Sequence, residues 1–210
     1  MVDIPLQDII TTHTDALAAH AEGFLPMIRL LLLLGKGSVS REQLGTTMRL
    51  SREEVEAFVQ SAHLVVDMDG TLHLAPGPHQ IQLDGEEPFT MAGCALDTLL
   101  FSMLTGRSAR VVSTCPATGT QVSLTVTPQG ILDLNPQAAV VSLRLPGETT
   151  NACNTRETIC AYGHFFVDRE SASTWPGLHP EAVLLSVEDA AHLAREIANA
   201  SRRYAEKTEV

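Results

Sequence analysis

One segment sets up the core of this chain: Gly93-Cys94-Ala95-Leu96-Asp97-Thr98-Leu99-Leu100-Phe101. Within it and just beyond it, apolar side chains recur at the spacing of one helix face, namely Leu96, Leu99, Leu100, Met103 and Leu104. We therefore predict a buried helix over residues 91–105, with Thr90 as its N-cap.

Two polar groups interrupt this apolar helix. Cys94 and Asp97 are three residues apart, so a helix brings their side chains onto one face. Amides at a helix N-terminus favour an anion, which predicts a lowered pKa for the Cys94 thiol. Apolar neighbours desolvate Asp97 and favour its protonated form. The pair can supply a nucleophilic sulfur and a proton carrier, although the same spacing also occurs where a cysteine simply fills a core.

Composition narrows the classes of protein and partner. The chain has 210 residues, enough for one domain or two small ones, and its 44% hydrophobic and 19% charged residues are typical of soluble globular proteins. A formal net charge of −11 argues against a nucleic-acid partner. Four cysteines are too few for a disulfide scaffold.

The N-terminus and the apolar runs bear on localisation. Met1–Pro5 lacks the basic region followed by an apolar region that marks a signal peptide. The run Leu30–Leu34 is far shorter than a membrane-spanning helix needs, and Arg29 precedes it. The expectation is a cytoplasmic protein with no membrane partner.

The first third of the chain has the outline of a winged helix. Helices are predicted over residues 6–21 and 24–34, capping boxes at Ser40–Gln43 and Ser51–Glu54 open two more, and a hairpin follows over residues 63–74. Residues 1–74 carry ten acidic and five basic side chains, whereas a DNA-binding face needs a basic stripe. We interpret this unit as packing support.

A change of composition divides the chain. Ala75–Pro78 is predicted to be a linker, which gives a winged-helix-like domain over residues 1–76 and a second domain over residues 79–210. The second domain is predicted to be a mixed sheet with a C-terminal helix, in an α+β fold. Its predicted strands cover residues 79–83, 109–114, 122–127, 139–145, 158–167 and 183–186, and its last helix covers residues 189–206.

The four cysteines allow four arrangements. The first is a zinc site, with ligands Cys94, Cys115, Cys153, Cys160 and His164. The close cysteine pairs that are usual in zinc sites are absent from the sequence, which disfavours this arrangement. Cys153 and Cys160 can form a disulfide, which a reducing compartment disfavours. A cysteine hydrolase would use Cys94 or Cys160 with His164 as base. In the fourth arrangement two thiolates converge on a soft metal beside a proton carrier.

A set of motifs in order then resembles a known family. The motifs are GCALDTL at 93–99, GRSARV at 106–111, CPATG at 115–119, VSLTV at 122–126 and CAYGHFF at 160–166. Their order and spacing closely resemble bacterial organomercurial lyase (alkylmercury lyase), and the N-terminal region and the terminal helix also fit. The resemblance implies cleavage of a carbon–mercury bond by protonolysis in mercury detoxification.

The resemblance also implies roles for single residues. Cys94 and Cys160 correspond to the catalytic thiols that bind mercury. Asp97 corresponds to the proton donor and is also expected to bind the substrate and product mercury. Cys115 corresponds to a buried structural cysteine.

Two positions depart from the family pattern. Gly93 stands where the family often has Trp, which bears on the pocket wall and on substrate preference. Cys153 lies seven residues before Cys160 and is a further thiol near the site. His164 is interpreted as a core or supporting residue, Trp175 as a packing residue, and the remaining histidines as scattered without a metal-ligand pattern.

Partners follow from the same resemblance. It implies an organomercurial substrate, no organic cofactor, external low-molecular-weight thiols for turnover, and a thiol pool or mercuric reductase as acceptor of Hg(II). The alternative is a thiol-based metal sensor or winged-helix regulator that turns nothing over. Asp97 favours the enzyme, because a sensor has no need of a proton donor.

Overall fold

The computed structural model describes residues 4–34, 38–61, 64–91, 93–147, 150 and 155–207, and these form an α+β fold. The helices are α1 Leu6–Ala19, α2 Ala21–Leu34, α3 Arg41–Met48, α4 Arg52–Ser61, α5 Ala95–Thr105, α6 Thr155–Thr158, α7 Arg169–Thr174 and α8 Val187–Lys207, with a 3₁₀ helix at Cys160–Tyr162. The strands are β1 Val39–Ser40, β2 Val65–Val66, β3 Thr71–His73, β4 His79–Leu83, β5 Phe89–Met91, β6 Ala109–Thr114, β7 Gln121–Thr127, β8 Gly130–Asn135, β9 Val140–Leu143, β10 Phe165–Phe166 and β11 Val183–Ser186.

The N-terminal elements build a small hydrophobic cluster of their own. Both predicted capping boxes are present, at Ser40 with Gln43 and at Ser51 with Glu54. Helices α3 and α4 are followed by β2 and β3, and β3 pairs with both β1 and β2 in the sheet order β1-β3-β2. The winged-helix assignment and the boundary between residues 76 and 79 stay predictions, and His63 of the predicted hairpin lies outside the described residues.

The larger unit contains two antiparallel sheets. Their strand orders are β5-β4-β6-β7-β8 and β10-β9-β11. The predicted mixed sheet is therefore wrong, because every strand pair among the described residues is antiparallel. In the five-stranded sheet, short connections join β4 to β5, β6 to β7 and β7 to β8. Such short connections reverse the chain between neighbouring strands and make them antiparallel.

Helix α5 lies at the centre of this unit and packs against α8, β7 and β9. Most of its side chains are buried, and Gly106 ends it in the left-handed conformation, with φ of 72°. Arg202 of α8 donates to the backbone carbonyls of Met103 and Leu104, so α8 also caps the carboxyl end of α5.

The start of α5 differs from the prediction. The N-cap is Cys94, with extended backbone at φ −98° and ψ 173°, and Thr90 lies in strand β5. The helix therefore begins at Ala95, four residues later than the predicted start at residue 91. Ala92 of the predicted helix lies outside the described residues. Cys94 is therefore the N-cap residue that precedes the helix, and it does not lie within the first turn.

The predicted strand over residues 158–167 is also wrong. Only Phe165–Phe166 pairs in a sheet, and the segment before it is a 3₁₀ helix in which the Gly163 N–H donates to the Cys160 carbonyl at 3.1 Å. The Ser142 hydroxyl donates to the Tyr162 carbonyl at 2.7 Å. These local and side-chain partners satisfy the backbone without a ladder.

Strand β8 was not predicted from the sequence. It is largely exposed and contains Asp133 at φ 51°, so it lacks the apolar alternation of a buried strand.

Among the described residues, no helix has the length and apolarity needed to cross a membrane.

Candidate active site

Two cysteines and one aspartate converge at the start of α5. The sulfur atoms of Cys94 and Cys160 and a carboxylate oxygen of Asp97 all lie within 4.8 Å of one another. Across the described part of the chain, this is the one group of three or more His, Cys, Asp or Glu side chains with such spacing. The three residues predicted for the site therefore share one place in the structure.

The N-terminus of α5 positions Cys94 and Asp97 together. Asp97 is the third residue of the helix, and its Oδ2 accepts a hydrogen bond from the Cys94 N–H at 2.7 Å. This is the carboxylate half of a capping box, in which the N3 side chain reaches back to the N-cap backbone. The same bond that begins the helix thus holds the carboxyl beside the thiol.

Cys160 comes to the site from another element. It is the first residue of the 3₁₀ helix and is partly exposed, whereas Cys94 is only 3% exposed. A backbone hydrogen bond of 3.0 Å from Ala95 N–H to the Gly163 carbonyl ties the end of this 3₁₀ helix to the start of α5. The two thiols are therefore held by a backbone contact and not only by side-chain packing.

The Cys94 thiol is protonated more firmly than the sequence suggested. Its hydrogen bond with Cys160, its burial, and the nearby charges of Asp97 and Cys160 raise its pKa well above the ordinary 9.0, while the Asp97 backbone N–H lowers it less. The predicted lowering of the Cys94 pKa by the helix N-terminus is therefore wrong. The amides act as expected, but the neighbouring thiol, burial and the carboxylate outweigh them.

Two glycines allow this close packing. A Cβ atom placed on Gly163 would lie 2.7 Å from Cys94 Cβ and 3.0 Å from Cys94 Sγ. A Cβ atom on Gly93 would lie 3.0 Å from Asp97 Oδ2. The backbone at both positions therefore forms the wall of the site itself.

His164 lies beside the site but outside the three-residue group. Its ring makes edge contacts with Trp175 at 5.1 Å and Phe166 at 6.3 Å between ring centroids. Burial lowers its pKa, and a hydrogen bond to the Ala161 backbone raises it less. His164 and Trp175 thus belong to an aromatic wall, and no described contact makes His164 the base of a cysteine nucleophile.

His79 is a residue near the site that sequence reasoning missed. It is 3% exposed, and its Nδ1 lies 2.9 Å from the Ser113 hydroxyl. Burial lowers its pKa to about 4, and the next largest influence is the charge of Asp97, which raises it. One signal was present: alternation along β4 puts His79 on the same buried face as Ile81 and Leu83, where a polar residue is unusual.

Cys115 lies apart from the group and is fully buried at the end of β6. Burial raises the pKa of its thiol, but hydrogen bonds from the Thr118 side chain and from the backbone of Val167, Ala117 and Thr118 outweigh it and bring the pKa below its ordinary value. Its backbone closes the β6–β7 turn by bonding Thr120 and Gly119. Cys153 lies outside the described residues.

The geometry favours one of the four cysteine arrangements. Cys115 is not among the converging groups, so the described cysteines do not build a four-ligand zinc site. Two soft sulfur donors and one carboxyl, partly open at Cys160, suit a soft metal that binds thiolates. The fold and site together define a class: an α+β protein with a dithiol–carboxyl site at the start of its central helix.

Comparison with known proteins gives that class a family. The sequence model of the alkylmercury lyase family, MerB, matches residues 72–199. Curated alkylmercury lyases are similar over most of their length: that of Bacillus cereus is 36% identical over 203 residues, covering 90% of this chain and 89% of the relative. That of Pseudomonas putida is 36% identical over 189 residues, covering 86% of each. The chain therefore belongs to the alkylmercury lyase family.

A solved structure agrees on the fold. The crystal structure of the mercury-bound form of MerB2 superposes with a TM-score of 0.64 at 21% sequence identity, covering 93% of this chain and 99% of that one. The α+β architecture is thus that of a MerB-like protein.

Proposed function

We propose that this protein is an organomercurial lyase that cleaves the carbon–mercury bond by protonolysis and so detoxifies organic mercury. The observation that carries the proposal is the convergence of Cys94, Cys160 and Asp97 within 4.8 Å, in a chain of the alkylmercury lyase family. The substrate is an R–Hg–SR′ adduct of a small thiol, where R is the organic group.

The first step is capture of mercury by thiol exchange. Cys160 is the more accessible of the two cysteines, so its sulfur forms the first bond to mercury. The small thiol R′SH leaves with the proton that Cys160 gives up. The mercury then lies next to the buried Cys94.

The second step moves a proton from Cys94 to Asp97. Because its pKa is raised, Cys94 enters the reaction as a neutral thiol that still carries its proton. Bonding of its sulfur to mercury releases that proton, and the Asp97 carboxylate is the adjacent acceptor. The carboxyl is then protonated next to the mercury-bound carbon.

The third step breaks the carbon–mercury bond. Two thiolate donors increase the negative charge on the carbon, and Asp97 delivers the proton to it. The electron pair of the carbon–mercury bond becomes the new C–H bond, so the products are R–H and Hg(II) held by the Cys94 and Cys160 sulfurs. No electron donor is consumed, and the two protons lost by the cysteines appear in R′SH and R–H.

Release of Hg(II) completes the cycle. External low-molecular-weight thiols exchange with the two cysteines, and mercuric reductase is a suitable acceptor. The proposal requires no organic cofactor. The acidic N-terminal unit, proposed to be winged-helix-like, serves as packing support and binds no nucleic acid.

Hydrocarbon release tests the proposal. Purified protein is incubated with phenylmercury and excess thiol, and benzene is followed by gas chromatography. Asp97→Asn is run in parallel, because an amide keeps an oxygen for the Cys94 N–H but cannot carry the proton. Wild type should release benzene, and the variant should be slower by about 10²- to 10⁴-fold while still binding mercury.

Stoichiometric mercury binding without benzene release by wild type would contradict the lyase and support the metal sensor. A fully active Asp97→Asn variant would instead leave the lyase standing and remove Asp97 as the proton donor.

A further inference from the structure

His79 bridges two neighbouring strands behind the site. It lies on β4, between β5 and β6, where its backbone is paired with Met91 of β5 and Gln80 is paired with Val112 of β6. Its ring contacts the Ser113 hydroxyl on one side, at 2.9 Å, and hydrogen-bonds to the Gly93 backbone on the other. Phe165 packs edge-on against the ring, with centroids 5.9 Å apart. The side chain is thus fixed on three sides.

A neutral imidazole suits these partners. It has one N–H donor and one acceptor nitrogen, so it can donate to the Gly93 carbonyl while Nδ1 accepts from the Ser113 hydroxyl. Burial keeps the ring uncharged at neutral pH, against the smaller influence of Asp97. The mechanism above does not use this ring as an acid or base.

Gly93 connects His79 to the proton donor. The Gly93 backbone faces the Asp97 carboxyl so closely that a Cβ atom there would lie 3.0 Å from Oδ2 and 3.1 Å from the aspartate Cβ. The next peptide supplies the Cys94 N–H that Asp97 Oδ2 accepts at 2.7 Å. Any movement of the Gly93 backbone therefore changes both the wall and the hydrogen bond that hold Asp97.

We propose that His79 is a positioning residue: anchored by Ser113 and bonded to the Gly93 backbone, it fixes the place of the Asp97 carboxyl beside Cys94. This inference rests on the proposed function, in which Asp97 delivers the proton to carbon from this position. His79 acts through Gly93 and touches neither mercury nor the organic group.

Kinetics of three variants test the role in catalysis. His79→Leu should lower kcat about tenfold or more, because small misplacement of a reacting group is costly, and should leave KM for phenylmercury nearly unchanged, because the capturing thiols are intact. His79→Gln retains a donor and an acceptor and should recover part of kcat. His13→Leu is the matched control: His13 is also buried, at 7% exposed, but lies on α1, so its variant should keep the wild-type kcat.

NMR tests the same role without turnover. In wild type, His79 should be neutral with its N–H on Nε2, and the Cys94 amide proton should resonate downfield because it donates to the Asp97 carboxylate. In His79→Leu the Cys94 amide and the Asp97 carboxyl resonances should shift, and in His13→Leu they should not.

The outcomes separate the two proposals. Unmoved Cys94 and Asp97 resonances in His79→Leu, or a kcat loss no larger than that of an equally destabilised His13→Leu, would overturn the positioning role. Absence of hydrocarbon release by wild type would overturn the proposed function alone, because the NMR result would still decide where His79 holds Asp97.

Discussion

Cys94 and Cys115 are both buried thiols, 3% and 0% exposed, but the structure moves their pKa values in opposite directions. Cys94 faces a second thiol and a carboxylate, which disfavour its anion. Cys115 sits in a turn whose Thr118 hydroxyl and backbone N–H groups donate to its sulfur. The partners, and not burial alone, therefore decide the charge of each thiol.

In the proposed mechanism this difference separates the reacting thiol, Cys94, from a structural thiol, Cys115. A thiol that keeps its proton until a soft metal arrives can hand that proton to Asp97, which is what protonolysis needs. A thiol whose sulfur is surrounded by donors within a closed turn gains its stabilisation from the turn and is not among the groups that converge on the site. The sequence shows the same residue type at both positions, and the surrounding groups set the direction of each pKa shift.

Removal of each thiol in turn should have the largest effect on activity. Cys94→Ala and Cys160→Ala should each reduce hydrocarbon release to background, since capture and proton supply require both sulfurs. Cys115→Ala serves as the control for loss of a buried thiol and should retain turnover per folded molecule. Gas chromatography of benzene from phenylmercury measures all three, and full activity in either of the first two variants would contradict the two-thiol mechanism.

A smaller perturbation moves Cys94 without removing it. In Gly163→Ala the new methyl group would lie 2.7 Å from Cys94 Cβ, so the thiol or the 3₁₀ helix must shift. We expect turnover to fall about tenfold or more, because reacting groups lose their alignment. Gly147→Ala is the matched control, since no atom lies within 4 Å of its added Cβ. Equal kinetics in the two variants would show that the Gly163 contact does not position Cys94.

Cys115→Ala tests the structural side of the comparison. Loss of a buried, hydrogen-bonded side chain should lower the free energy of unfolding by about 0.5–3 kcal/mol. Urea denaturation followed by circular dichroism measures this change. If the variant has wild-type stability but no longer binds mercury, Cys115 is a mercury ligand and not a structural residue.

The two pKa directions can be measured themselves. As pH rises, Cys115 should ionise below the ordinary thiol pKa of 9.0, and Cys94 should keep its proton well above it. Thiolate absorbance in the ultraviolet should therefore lose its early step in Cys115→Ala and its late step in Cys94→Ala. Loss of the early step in Cys94→Ala and of the late step in Cys115→Ala would contradict both pKa directions.

Local signals predicted much of the fold. Strand β4, helix α5 from residue 95 onward, strands β6, β7 and β11 and helix α8 follow from apolar periodicity, and the Ser40 and Ser51 capping boxes follow from side-chain spacing. Where periodicity failed, tertiary partners decide the structure: Ser142 satisfies the backbone near Tyr162, and that segment becomes a 3₁₀ helix in place of a long strand.

The site could be predicted only in part, because local sequence patterns do not show tertiary partners. Cys94 and Asp97 are three residues apart, so local spacing brings them together. Cys160 is 66 positions after Cys94, and only the family resemblance singled it out, because no periodic pattern spans that distance. His79 was missed because its partners, Gly93 and Ser113, come from the strands and turn on either side of β4, although its place on a buried strand face was a usable signal.

In the proposed mechanism, the proton added to carbon comes from an exchangeable group of the protein, and mercury is left on two thiolates. A single turnover in deuterium oxide tests this, with phenylmercury stoichiometric to the protein and no added thiol. We expect one monodeuterated benzene per protein and the loss of two titratable thiols, those of Cys94 and Cys160. Mercury bound with no benzene released, or benzene formed without deuterium, would contradict it.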